Sequence, residues 1–209
     1  AKFKKFGEAA KKAGEAVKKG LKVVATAVTA AMAAMVALAA STEEFRANQA
    51  KLETAFETAG ASAGTAAEVY KNLYRVLGDD GQATEAAQHL AKLTNNQQHL
   101  SEWTNICQGV YATFGDSLPI EGLTEAVNHT AKLGEVQGVL ADALEWSGVN
   151  VDDFNKKLAA CNTEAEREAL IRTTLNELYD DAAENYEKNS AGILANREAQ
   201  LRLNKAMAG

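Results

Sequence analysis

A run of twenty residues, 21–40, places the strongest constraint on what this chain can fold into. Its sequence is LKVVATAVTAAMAAMVALAA, in which seventeen positions are apolar, nine of them Ala, and only Lys22, Thr26 and Thr29 interrupt it. A run of this length can cross a bilayer as one helix, and it equally suits the interior of a close-packed helix bundle. The function of the chain depends on which alternative holds.

The composition favours an all-α fold. The 209 residues include a single Pro, and 46% of them are hydrophobic, many of these Ala. Proline is the strongest helix breaker and alanine the strongest helix former. No segment shows the alternation of apolar and polar residues that is typical of a strand. We therefore predict an all-α protein in which a long Ala-rich N-terminal helix precedes a multi-helix body of short and medium helices.

Charge is distributed unevenly along the chain. The net charge is −6, yet residues 1–22 carry eight Lys against Glu8 and Glu15, so the remainder is strongly acidic. An acidic body does not attract nucleic acid, whereas a basic arm suits an anionic membrane surface or an acidic partner. The arm's candidate binding residues are Lys2, Lys4, Lys5, Lys11, Lys12, Lys18 and Lys19.

A heptad-like seam runs through the N-terminal part of the chain. Apolar or small residues recur every three or four positions from Phe3, through residues 21–40, to Ala55. A seam of this length predicts an elongated helix that packs on copies of itself, as in a coiled coil. The candidate bundle or membrane residues are Leu21, Val23, Val24, Val28, Ala31, Met32, Met35, Val36 and Leu38.

Glycine-rich and capping sequences divide the rest. The stretch 60–64, GASAG, predicts a boundary between residues 1–59 and an acidic helical body at 60–209, with a further break at 115–119, where the single Pro lies. Thr163 and Glu166 form a predicted capping box. The predicted helices of the body span about residues 65–77, 83–94, 98–114, 120–133, 136–146, 150–161, 163–188 and 191–207.

Residues that could carry chemistry do not form a recognised constellation. His89, His99 and His129 lack the spacing of a zinc site, and the paired carboxylates, such as those of Asp79 and Asp80, are explained by turns and helix starts. Cys107 and Cys161 are expected to be unpaired thiols. We predict no enzymatic activity, no cofactor and no metal.

Two segments give the chain a resemblance to a known family. Residues 117–179, SLPIEGLTEAVNHTAKLGEVQGVLADALEWSGVNVDDFNKKLAACNTEAEREALIRTTLNELY, and residues 47–60, ANQAKLETAFETAG, resemble the tape measure protein of tailed bacteriophages and related phage-tail-like particles. The resemblance covers most of residues 41–209. Members of that family are usually far longer, so the chain is expected to be a segment of a longer protein.

The resemblance implies a structural role in the virion. Tape measure proteins are long helical chains, made in the host cytoplasm and packed in the tail-tube lumen as a small homo-oligomer such as a trimer. Their length sets the tail length, and tail-tube, tail-tip and tail assembly proteins surround them. During genome ejection they leave ahead of the DNA, and hydrophobic segments help to form a path through the host membrane.

Two other functions are compatible with the same sequence. A membrane-active pore-former or toxin would bind anionic lipid through the basic arm and insert residues 21–40. A soluble helical adaptor or assembly chaperone would keep the same run inside its core. Leakage of dye from liposomes distinguishes the first of these from the second.

Overall fold

The structure, a computed structural model, describes residues 42–208, and every regular element in that range is helical. The fold class is therefore all-α, as predicted. The predicted long N-terminal helix lies largely outside the described residues, as do the candidate residues between Lys2 and Leu38. Helix α1 occupies residues 42–58 of the described range.

Eight further α-helices follow, together with a short 3-10 helix at Gly115–Ser117. They are α2 (Ala63–Leu77), α3 (Asp80–Leu93), α4 (Gln97–Phe114), α5 (Ile120–Leu133), α6 (Val139–Glu145), α7 (Val151–Ala159), α8 (Glu164–Asn189) and α9 (Ala191–Ala208).

The compact unit begins at Phe45, and one hydrophobic core runs through it. Phe45, Leu52 and Phe56 of α1 are buried in the same core as the later helices. The predicted boundary at residues 59–60 therefore falls inside this unit, because the heptad seam continues into α1 and supplies core residues there. Gly60, with φ of 82°, forms the turn that joins α1 to α2.

The centre of the unit is the pair α4 and α8, which pack against each other along much of their length. Gly109 of α4 makes this close packing feasible. A Cβ at that position would overlap the carbonyl oxygen of Tyr179 and lie 2.8 Å from the Tyr179 Cβ. Around this pair, α5 packs on α3 and α8, while α2 contacts α3, α4 and α9.

Several predicted helix ends agree with the structure. Helix α5 ends at Leu133, and Gly134 adopts the left-handed conformation (φ 78°) that closes it. The Thr163 side chain caps α8 by accepting from the Glu166 N–H at 3.1 Å. The Glu166 carboxylate in turn accepts from the N–H of Asn162, the residue before the cap, at 2.6 Å.

Other predicted ends are wrong, and tertiary contacts explain the largest difference. The helix expected at 136–146 begins only at Val139. The N–H of Val136 donates instead to Oδ1 of Asn155, and the N–H of Gln137 donates to Oγ1 of Thr130. At α2 the cap is Ser62 rather than Thr65, since the Ser62 hydroxyl accepts from the Thr65 N–H.

Candidate interaction site

Two groups of polar side chains in the described region form hydrogen-bonded clusters between helices. The largest cluster joins α4 to α8 around Glu168, which is only 4% exposed. Oε1 of Glu168 accepts from the Trp103 indole at 2.8 Å and from Nε of Arg172 at 2.9 Å. Arg172 also contacts Glu102. A carboxylate paired in this way is compensated within the core and connects the two central helices.

His99 lies at the edge of the same cluster. Its Nδ1 is 3.6 Å from Oε2 of Glu168, and its Nε2 is 3.3 Å from the Arg172 guanidinium. No sequence pattern links His99 to Glu168, because the two residues are far apart in the chain. One part of the cluster could be detected from the sequence, because the spacing of Glu168 and Arg172 places both residues on one face of a helix.

A second cluster corrects the interpretation of Asp79 and Asp80 as a solvated turn. Asp79 caps α3 by accepting from the Gln82 N–H at 2.8 Å. Asp80 accepts from the Tyr70 hydroxyl at 2.5 Å and from the Asn48 amide at 2.6 Å, so it joins α1, α2 and α3. Burial, together with the hydrogen bond to Asp80, raises the pKa of Tyr70 well above its usual value.

The two cysteines are free thiols, as expected. Cys107 lies in the core of α4, where burial raises its pKa to about 12. Cys161 is half-buried and its thiol faces the Lys157 carbonyl at 3.5 Å. The low acidity of the Cys107 thiol means that it is not a nucleophile near neutral pH.

Polar side chains also line a groove between α2, α4 and α8, but most are already bonded across it. The Gln108 amide donates to the Ala183 carbonyl at 2.9 Å, and the Asn105 amide donates to Asp180 at 2.8 Å. These bonds tie α4 to α8. The groove therefore contributes to the cohesion of the two central helices.

Helix α9 has a different character, because it carries apolar residues on two opposite faces. Leu194 and Leu201, seven residues apart, are buried against the rest of the unit. Arg197 holds the same side of α9 to the end of α2, where its guanidinium donates to the carbonyls of Arg75 and Val76. Cations suit this place, since the free carbonyls at a helix C-terminus are partly negative.

The opposite side of α9 is apolar and open to solvent. Ile193 is 55% exposed, Leu203 52% and Met207 37%. We call this surface the outer face of α9; it comprises Ile193, Ala195, Ala199, Leu203, Ala206 and Met207. Asn196 and Gln200 are exposed among these residues, but three large apolar side chains on one helix face exceed the single exposed residues that are normal on a protein surface. The outer face is therefore the best candidate for a protein contact in the described part of the chain.

A metal site and a membrane-spanning helix are two further kinds of functional feature. Within residues 42–208, no group of three or more His, Cys, Asp and Glu side chains is arranged to hold a metal ion. In that range, too, no helix combines the length and apolarity required to cross a membrane. Periodicity does not indicate the outer face of α9, because Asn196 and Gln200 lie among its Ile, Leu, Ala and Met residues.

Comparison of the chain with protein-family models, with curated proteins and with solved structures finds no match.

Proposed function

We propose that this chain is a structural segment of a tape measure protein, from a tailed bacteriophage or a related phage-tail-like particle, and that it works by association with other chains. The observation that carries the proposal is α9, which buries Leu194 and Leu201 on one side and exposes Ile193, Leu203 and Met207 on the other. An exposed apolar face of this kind marks a protein–protein contact. A chain whose task is assembly requires such a surface.

The segments that resemble the tape measure family also support the proposal. Residues 117–179 include all of α5, α6 and α7 and the first part of α8. Leu123, Leu140, Phe154 and Ile171 from these helices share one core. The resemblance thus covers helices that share one core.

In this proposal the protein is made in the host cytoplasm and incorporated into the tail interior. The apolar run at residues 21–40 supplies the seam that joins copies of the chain in a small homo-oligomer. Tail-tube, tail-tip and assembly proteins are the other partners. On ejection the same run enters the host membrane, because its apolar residues then lose their protein neighbours.

Tail length in assembled particles tests the proposal. An in-frame deletion of residues 21–40 removes twenty residues, and a helix rises about 1.5 Å per residue, so the tail should shorten by roughly 30 Å. Exchange of Met32 and Met35 for Leu is the matched control and should leave the length unchanged. Unaltered tail length in the deletion variant, or absence of the chain from purified tails by mass spectrometry, would contradict the proposal.

The membrane step is tested separately with the full chain and anionic vesicles. We expect dye leakage from the wild type and much less from Ala31→Arg, because an Arg at the bilayer centre costs on the order of 2.5–3.5 kcal/mol on insertion scales. No leakage from either protein would argue against lipid entry. A chain that causes leakage but is absent from tails would favour a pore-former. A chain that neither causes leakage nor occurs in tails would favour an adaptor or chaperone.

A further inference from the structure

A basic groove lies between α1 and α3 on a body that is otherwise acidic. It consists of two adjoining hollows of about 500 Å³ each. Lys51, Lys92 and Lys132 line the hollows, and no acidic residue does so. Residues 42–208 contain fourteen basic and twenty-six acidic residues, so a groove with lysines alone departs from its surroundings.

Within residues 42–208, some lysines have a carboxylate partner, and the three lysines of the groove do not. Lys156 and Lys188 each lie 2.7 Å from a carboxylate of their own helix. Lys51, Lys92 and Lys132 form no ion pair with any residue from 42 to 208, and all three are exposed. Three unpaired cations beside one groove favour an acidic occupant.

The wall of the groove formed by α1 is made of methyl groups. The Thr54 hydroxyl donates to the Ala50 carbonyl at 2.8 Å, and the Thr58 hydroxyl donates to the Thr54 carbonyl at 2.7 Å. Both hydroxyls thus bond to their own helix. Ala50 and Ala55 line the groove beside them. Small side chains of this kind allow another helix to approach closely.

The opposite edge of α1 carries the complementary charge. Glu53 and Glu57 are exposed, lie one turn apart and have no ion-pair partner within residues 42–208. In a helix each residue is rotated by about 100° from the one before it, so Glu53 and Glu57 lie on one side of Thr54 and Lys51 lies on the other. In this part of α1, Glu53 and Glu57 therefore form an acidic edge, and Lys51 lies on the edge that faces the groove. Arg46, two turns before Glu53 on the acidic side, donates to the Ala208 carbonyl.

We propose that the basic groove of one copy accepts the acidic edge of α1 from a second copy of this chain. The inference deepens the proposed function, since it identifies one surface through which copies associate. If the α1 helices of two copies run parallel, the acidic edge of one lies against the basic edge of the other. If they run antiparallel, edges of like charge meet. Each contact joins the groove of one copy to the acidic edge of the next. Successive copies therefore form a closed ring if the rotation between neighbouring copies closes.

Charge reversal in the full-length chain tests the contact. One variant carries Lys51→Glu and Lys92→Glu, and another carries Glu53→Lys and Glu57→Lys. Because like charges then face each other, each variant alone should associate at least about tenfold more weakly than the wild type in sedimentation equilibrium. Lys156→Glu with Lys157→Glu is the matched control: it changes the net charge as the first variant does, but on the exposed surface of α7.

Mixing the two variants gives the decisive result. Opposite charges then face each other again with their positions exchanged, so we expect mixed oligomers from the pair and little association from either variant alone. Wild-type association in both variants, no recovery on mixing, or loss in the lysine variant alone would overturn the inference; the last result would indicate a different acidic occupant. The tail-length experiment is independent, so this contact can fail while the proposed function stands.

Discussion

The indole Nε1 of Trp103 donates a 2.8 Å hydrogen bond to Oε1 of Glu168, and both residues are almost completely buried. The bond joins the two central helices through a charged group. Arg172 shares the same carboxylate oxygen at 2.9 Å. Loss of the carboxylate therefore leaves the buried Trp103 N–H without its acceptor, while Arg172 keeps its ion pair with Glu102.

Glu168→Ala should destabilise the protein by about 1–3 kcal/mol, the range for a buried donor that loses its acceptor, because Arg172 keeps its ion pair with Glu102. Glu168→Gln should cost less, because the amide oxygen still accepts from Trp103. Urea unfolding followed by circular dichroism measures both. Lys156→Ala is the control, since its ion pair is exposed to solvent, and it should change little. Equal stability of Glu168→Ala and the control would show that the cluster contributes nothing.

Gly109→Ala should destabilise the protein by about 1–3 kcal/mol, as expected when a core is overpacked. The added methyl group would meet the backbone of Tyr179, which a rotamer change cannot move away. Gly192→Ala is the matched control, because apart from the adjacent residues and the nearby backbone of α9 no atom lies within 4 Å of its added Cβ. Alanine there should be neutral or slightly stabilising. The urea midpoints of both variants measure the difference.

The stability of the protein should fall as the pH falls below about 6.5, partly because of His89. Burial, and then the nearby Lys92 charge, lowers the pKa of His89 from its usual value of 6.5. The unfolded chain thus binds the proton more readily than the folded chain. This contribution is fully present above pH 6.5 and is lost as the pH falls towards the lower pKa of the folded state.

Comparison of the wild type with His89→Gln isolates the contribution of His89. Urea midpoints between pH 8 and pH 5 should fall less steeply for the variant. His99 and His129 remain in both proteins, so their effects cancel in the difference. Parallel pH profiles would contradict the assignment.

The two thiols should react at very different rates. A thiol-reactive dye at pH 8 should label Cys161 quickly, while Cys107 should react only on unfolding, because burial both blocks access and raises its pKa to about 12. Intact-mass spectrometry should show one added label in buffer and two in denaturant. Two labels in buffer would mean that α4 opens readily.

The sequence predicted elements whose signals lie within a few residues. The stop at Gly134 and the cap at Thr163 are such cases. Partners distant in sequence were not predictable. Asn155, which binds the Val136 N–H, lies 19 residues away, and Trp103 lies 65 residues from Glu168. Periodicity carries no information about such pairs.

The two faces of α9 allow stability and association to be separated. Leu201→Ala should cost about 2–5 kcal/mol in stability, because Leu201 is only 2% exposed. Leu203→Lys should leave the urea midpoint nearly unchanged but weaken self-association, since Leu203 is 52% exposed. Unfolding curves and sedimentation on the same samples measure both effects. Unimpaired association in Leu203→Lys would exclude the outer face of α9 as a contact between copies.

The central claim is that this chain is a structural protein that associates with copies of itself. The molar mass of the full chain in solution, measured by light scattering over a wide range of concentration, tests it most directly. We predict a mass that rises with concentration to a small multiple of 22.2 kDa. A constant mass of 22.2 kDa at every concentration would contradict the account.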